Sequence, residues 1–301
     1  MKQIHSRFCI VLLISFILNV SLLYGAVTVD QYEERTKLKG AYYEEERVFK
    51  ASFPRTDIQV TIDHYHANPF MGLTTWASFS QSQKDETEFM VMGDFVLLQD
   101  EVNPVMSLFL DHNIEVTALH NHFFYDEPKI YFMHISGIGR LEALSEAVRH
   151  VLNEVQKIRI SKDTKSATFG SDQVSEKSEI NVATIEKILN IKGQAQEGRY
   201  KVVVGKKTSL RTCGCTMGKE MGVNSWATFS GNENKAIVNG DFALFENELQ
   251  PTLKMLREMN INVVAIHNHM TKEDPRVLFV HYWGVGKLED LALSVKEILN
   301  K

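Results

Sequence analysis

Cysteine, proline and runs of basic residues are all scarce in this chain. Its 301 residues hold three cysteines and six prolines, too few for a disulfide scaffold, a proline-rich spacer or a collagen-like repeat. No long Lys/Arg run occurs and the formal net charge is −5, which removes the electrostatic footprint of nucleic-acid binding. HExxH, P-loop and GxSxG motifs are missing as well, so no recognised catalytic class is written in the chain. What is left, 44% hydrophobic, 10% aromatic and 24% charged residues, is the composition of a globular protein of about two domains.

Lys2 and Arg7 precede an uncharged stretch from Phe8 to Val29 rich in Ile, Leu, Val and Phe. This is the n-region and h-region of a secretory signal. Gly25 and Ala26 close it with small residues, so residues 1–26 are expected to be a signal peptide and the mature chain to be exported, periplasmic or extracellular. Cys9 stands at the start of the apolar run, where a lipid-attachment cysteine would have to follow it, so lipid anchoring is not expected. Loss of Lys2 and Arg7 takes the net charge from −5 to −7 and leaves Cys213 and Cys215 as the remaining cysteines. No other stretch is long and apolar enough to span a bilayer, and no integral membrane domain is expected after cleavage.

Comparison of the chain with itself shows one unit written twice. Gly72-Leu-Thr-Thr-Trp76-Ala-Ser-Phe79-Ser80 returns 150 residues later as Gly222-Val-Asn-Ser-Trp226-Ala-Thr-Phe229-Ser230. At an offset of 147, Gly93-Asp94-Phe95 becomes Gly240-Asp241-Phe242, Glu101 and Pro104 become Glu248 and Pro251, and Ala118-Leu-His120-Asn-His122 becomes Ala265-Ile-His267-Asn-His269. His134, Gly137 and Gly139 likewise become His281, Gly284 and Gly286. A period this long is a duplicated domain rather than a solenoid repeat. The boundaries fall at residues 27–160 for the first unit, 161–178 for a polar linker and 179–301 for the second unit.

Within each unit, strand-like alternation at 76–80, 88–98, 114–122 and 129–135 is interrupted by a helix over 101–113, with Pro104 in its first turn. A second helix follows from the stripe Leu141, Leu144, Val148, Val151, Leu152 and Val155. Hairpins without regular βαβ crossovers imply an α+β fold: two tandem homologous units, each a mainly antiparallel sheet with flanking helices. Trp76, Trp226, Met90 and Met92 are expected in the core.

The histidines carry the functional lead. Residues i and i+2 of a strand share a face, so His120 and His122 point the same way. A hairpin centred near Glu127 sets His134 across from His120 and Phe132 across from His122; His267, His269 and His281 repeat the triplet. Three neutral imidazoles suit zinc or another divalent transition metal. Asp94 and Asp241 are candidates for ligands or for partners that orient a histidine. Glu127 and Glu273, at the hairpin turns, are the candidate bases should a metal-bound water react. Asp94, Glu101 and Pro104 also fit a plain turn and helix start, with Glu101 at the positive helix N-terminus. Cys213-Gly214-Cys215 aligns with Asp63-His64-Tyr65, beside His66, and offers a metal or redox pair, free thiols or a short-loop disulfide.

Trp-Ala-x-Phe, Gly-Asp-Phe, the Glu-x-x-Pro pair, Ala-Leu-His-Asn-His and the later Phe-x-His-x-x-Gly-x-Gly together resemble the LppY/LpqO lipoprotein family, over nearly all of the mature chain. The resemblance implies a bacterial envelope protein and no defined activity. The resulting expectation is an exported envelope protein that binds a divalent transition metal or a small polar ligand at two His-rich sites. The alternatives are a metal-dependent hydrolase acting on an envelope component, and a structural or pH-responsive envelope protein.

Overall fold

The computed structural model describes residues 28–161 and 173–300; the signal-peptide expectation and most of the linker fall outside them. The first unit runs α1 (Val29–Thr36), β1 (Ala41–Tyr43), β2 (Val48–Pro54), β3 (Thr61–Ile62), β4 (Tyr65–His66), β5 (Thr74–Gln81), β6 (Phe89–Leu98), α2 (Gln99–Asp111), β7 (Glu115–His120), β8 (Asp126–Glu127), β9 (Ile130–Gly139) and α3 (Leu141–Ser161). The second repeats it as α4 (Val182–Leu189), β10 (Gln194–Gln196), β11 (Arg199–Gly205), β12 (Thr208–Leu210), β13 (Cys215–Met217), β14 (Asn224–Gly231), β15 (Ala236–Phe245), α5 (Leu249–Glu258), β16 (Asn262–His267), β17 (Glu273–Asp274), β18 (Val277–Gly286) and α6 (Leu288–Leu299). Among the described residues no helix is long and apolar enough to cross a membrane.

Local chemistry explains the helix ends. Thr28 and Gln31 form a reciprocal capping box at the start of α1. Asn181 caps α4 by accepting from the Thr184 amide. Helix α2 begins two residues earlier than expected, so Pro104 lies inside it rather than in its first turn. The reason is Glu101, whose carboxylate accepts the Leu98 amide at 2.8 Å and draws residues 99–100 into the helix. Glu248 does the same for the Phe245 amide at 2.7 Å. Glu101 is fully buried, accepts hydrogen bonds from both terminal nitrogens of Arg55 at 2.8 and 3.0 Å, and forms an ion pair with Arg159, whose Nε lies 2.7 Å away. The helix-start reading of Glu101 therefore holds, with a buried ion pair added to it.

Ten long and two short strands form a single twelve-stranded antiparallel sheet in the order β1-β2-β5-β6-β9-β7-β16-β18-β15-β14-β11-β10. The two units meet edge to edge where β7 pairs with β16 through Leu119 and Ile266. Alternation then divides the faces. Phe89, Val91, Phe95 and Leu97 of β6 join one apolar core with Phe109, Val148, Leu253, Phe242 and Val295 under the helices. Val96 and Leu98 point the other way, into a separate cluster with Ile58, Val60, Leu73, Ile130 and Phe132 beneath the small sheet β4-β3-β8. The small sheet β13-β12-β17 covers Ala243, Val277 and Phe279 in the same fashion. The rest of that second face is open. Met90 and Met92 lie on it, 41% and 50% exposed, and Trp76 and Trp226 are half-buried there with Lys50 and Lys201 above their rings. The core assignment of these four residues is thus corrected, because helices cover the opposite face.

Two side-chain amides clasp the seam. Asn103 of α2 accepts from the Val263 amide at 2.9 Å and donates to its carbonyl at 3.2 Å. Gln250 of α5 makes the mirrored pair with Val116, at 3.1 and 3.0 Å. Both clasped residues flank a break in register, between Val116 and Ala118 and between Val263 and Ala265, where the bulged strand leaves backbone groups unpaired by its neighbour. Each unit thereby satisfies the other unit's irregularity. Asn103→Ala strips a buried residue of both partners and is expected to lower the unfolding free energy by about 1–3 kcal/mol, and Gln250→Ala by a similar amount. Urea unfolding measures both, and unchanged midpoints would show that the clasps contribute nothing.

Candidate metal centre

Cross-strand pairing assembles the site. Trp76 pairs with Asp94, Asp94 with His134 and His134 with Ala118; Trp226, Asp241, His281 and Ala265 form the same row in the second unit. His120 stands opposite Phe132 and His267 opposite Phe279. The expected register was two residues out, since the connection centres on Asp126 and its turn residues leave to pair with β3. A shift of two preserves the face, so the imidazoles still converge. His122 and His269 lie just beyond their strands, held by stacking on Phe132 and Phe279 with centroids 3.3 and 3.5 Å apart. The close packing of β5 on β6 and β14 on β15 is allowed by Gly93 and Gly240, where a Cβ would sit 2.9 Å from the Trp76 carbonyl oxygen and 2.1 Å from that of Trp226.

In the second unit the donor atoms close up. His267 Nε2 and His269 Nε2 are 3.2 Å apart, and lie 3.9 and 3.5 Å from Asp241 Oδ2. For bonds of about 2.0–2.1 Å to a tetrahedral ion, ligand atoms are about 3.3 Å apart, so the three atoms describe one coordination face with little movement. Asp241, His267 and His269 are the one such group among the described residues. Tautomers favour this use: His269 Nδ1 faces the Gly222 carbonyl at 3.1 Å, which can only accept, so Nδ1 carries the proton and Nε2 keeps its lone pair. His281 Nδ1 meets the Gly240 carbonyl at 3.3 Å and lies 3.9 Å from Asp241 Oδ1. Asp241 therefore stands among the donor atoms, with His281 on its other oxygen. In the first unit His120 stacks between His122 and His134 at centroid distances of 5.2 and 5.1 Å, a looser version of the cluster.

Electrostatics point the same way. Oδ1 of both Asp94 and Asp241 is buried without a hydrogen-bond partner, a costly state for a carboxylate. Burial raises both above the usual carboxylate range despite the opposing pull of nearby imidazoles. Two of the histidines are pushed toward neutrality: His122 downward by burial, and His267 to about 4 by burial and by His281 and His269. Desolvated carboxylates beside neutral imidazoles are groups that a cation stabilises.

Other expected participants have different work. Glu273 is buried and accepts the Val277 amide at 3.2 Å, the task that Asp126 performs for the Ile130 amide at 2.8 Å in the first unit. Glu127 is exposed on β8. The two glutamates are therefore not structural equivalents: the hairpin engages Glu273 in its own turn and leaves Glu127 in solvent. Cys213 and Cys215 form a disulfide in the β12–β13 turn, which is two residues longer than the β3–β4 turn. The sequence reading missed the Gly222 carbonyl that orients His269, and it set Phe132 across from His122 without giving Phe132/Phe279 their role as stacking platforms. Their signal was available, since Gly72/Gly222 and Phe132/Phe279 recur at the offsets of the other matched residues.

A family model described as Domain of Unknown Function (DUF1259) matches residues 31–154 and again 183–301. The chain belongs to this family. Its two DUF1259 units coincide with the duplicated halves, and each match contains one His/Asp cluster. No curated protein and no solved structure matches the chain.

Two pH effects follow for the metal-free protein. Burial raises the folded Asp241 carboxyl above its unfolded value, so once the pH is above both values the folded state bears the cost of a desolvated carboxylate. Asp241→Asn should therefore raise the melting temperature in chelator, with the gain shrinking as the pH falls through the raised carboxylate pKa. His267 acts in the opposite sense: between 6.5 and about 4 the unfolded chain takes up a proton that the folded chain refuses, so stability falls as the pH drops through that window. His267→Gln should lessen this acid loss in melts recorded across the same range.

Proposed function

We propose that this protein is exported and binds a divalent transition metal, zinc foremost, at the His/Asp clusters of its two DUF1259 units. The carrying observation is the spacing of Asp241, His267 and His269, whose donor atoms all lie within 4.8 Å of one another. Two imidazoles and a carboxylate are a borderline donor set that suits zinc and its neighbours. The looser first-unit cluster of Asp94, His120, His122 and His134 offers a second, weaker site from the same parts. The leader-like composition of residues 1–26 and the resemblance to LppY/LpqO lipoproteins support a place beyond the plasma membrane. Binding is the function put forward, because of the two glutamates considered as bases Glu273 is engaged in its own turn and Glu127 is exposed.

Purified mature chain reconstituted with zinc is expected to hold up to two ions, one of them more tightly. His267→Ala/His269→Ala should remove the tighter ion and His120→Ala/His122→Ala the weaker. At a free zinc concentration about 100 times the dissociation constant, stability should rise by about 2.7 kcal/mol. Elemental analysis and thermal melts read these outcomes, and a wild-type chain that retains no ion after reconstitution would overturn the proposal.

A further inference from the structure

The two clusters are not separate pockets. Because Leu119 pairs with Ile266, antiparallel register sets Ala118 opposite His267 and His120 opposite Ala265. Ala118 is also the neighbour of His134, and Ala265 of His281. The floor between the clusters is therefore a pair of methyl groups, and no large side chain on those rows divides one cluster from the other. With neighbouring strands about 4.8 Å apart, His134 and His281 are separated by about 14 Å across the sheet, and Trp76 and Trp226 by about 34 Å. The small sheets rise over Phe132 on one side and Phe279 on the other, related by the same pseudo-twofold as the units. What lies open between them is a trough running from Trp76 through both clusters to Trp226.

We propose that this trough takes a single linear carboxylated polysaccharide that spans both clusters. The proposal rests on the metal-binding reading for part of its charge argument. Two bound divalent ions outweigh Asp94 and Asp241, and Lys50 and Lys201, 4.4 and 4.6 Å above the Trp76 and Trp226 rings, add positive charge at both ends. An anionic chain is the complementary partner. The parts of the half-buried indoles that the lysines leave uncovered offer apolar surface to sugar rings, while carboxylates supply oxygen donors to the ions. The exposed sheet between the indoles suits a long, narrow chain better than a compact molecule, which needs an enclosing pocket.

The test is calorimetric titration of the mature full chain with oligogalacturonates of graded length, with and without zinc. Short oligomers should bind weakly at two per chain. Once the oligomer reaches from one cluster to the other, stoichiometry should fall to one per chain and affinity should rise about 100-fold or more. Ala118→Phe/Ala265→Phe, which places two rings on the floor, should return long oligomers to weak, two-per-chain binding. Affinity that does not change with length, or two long oligomers per chain, would overturn the shared trough. Equal binding of polyglutamate of matched length would overturn the assignment to a sugar chain. Zinc content is measured on the same samples: bound zinc without the length effect overturns the shared trough alone, whereas absence of zinc overturns the metal reading and, with it, the charge that the trough offers an anionic chain.

Discussion

The antiparallel join of β7 to β16 is the constraint on which the rest of this molecule depends. Left apart, each half would end in an open strand edge at its histidine-bearing strand, a liability for any soluble sheet. Pairing Leu119 with Ile266 removes both edges and merges two cores into one. It also brings both His/Asp clusters onto one face, in register rows that cross the seam. The amide clasps from Asn103 and Gln250 show how closely the halves are fitted, since each satisfies the backbone of the other's bulged strand.

Against that frame, the buried carboxylates are the energetic anomaly. A folded protein seldom leaves an aspartate oxygen desolvated and unbonded, yet Asp94 and Asp241 both do so at matched positions. Surrounding imidazoles do not relieve this while they are neutral, and burial keeps His267 so down to about pH 4. A divalent cation relieves the carboxylate and uses the imidazole lone pairs together. Stability is supplied elsewhere, by the helix-covered core and by the buried Arg55–Glu101 pair that closes the start of α2.

Much of this was legible in the chain. Repetition of Gly-Asp-Phe and His-Asn-His marked the duplication, and period-two spacing put the imidazoles on one face. The hairpin register was read two residues out, an error that a sheet forgives because side-chain direction repeats every two residues. Trp76, Met90 and Met92 were misplaced for a related reason: alternation separates two faces but does not say which one the helices will cover. The acidic turn residues were equated by proximity in the alignment, whereas the fold matches Asp126 with Glu273 by the amide each one holds.

Sequence by itself determined that two copies of an antiparallel α+β unit exist and that each carries three histidines able to converge, because both properties are local periodicities or direct repeats. Tertiary structure alone decided that Asp241 stands among the donor atoms, that the Gly222 carbonyl sets the tautomer of His269, and that the second cluster is tighter than the first. Those facts depend on contacts between residues tens of positions apart, at distances of a few ångströms. Only the packing of sheet, hairpin and loop sets such distances, and no spacing along the chain encodes them.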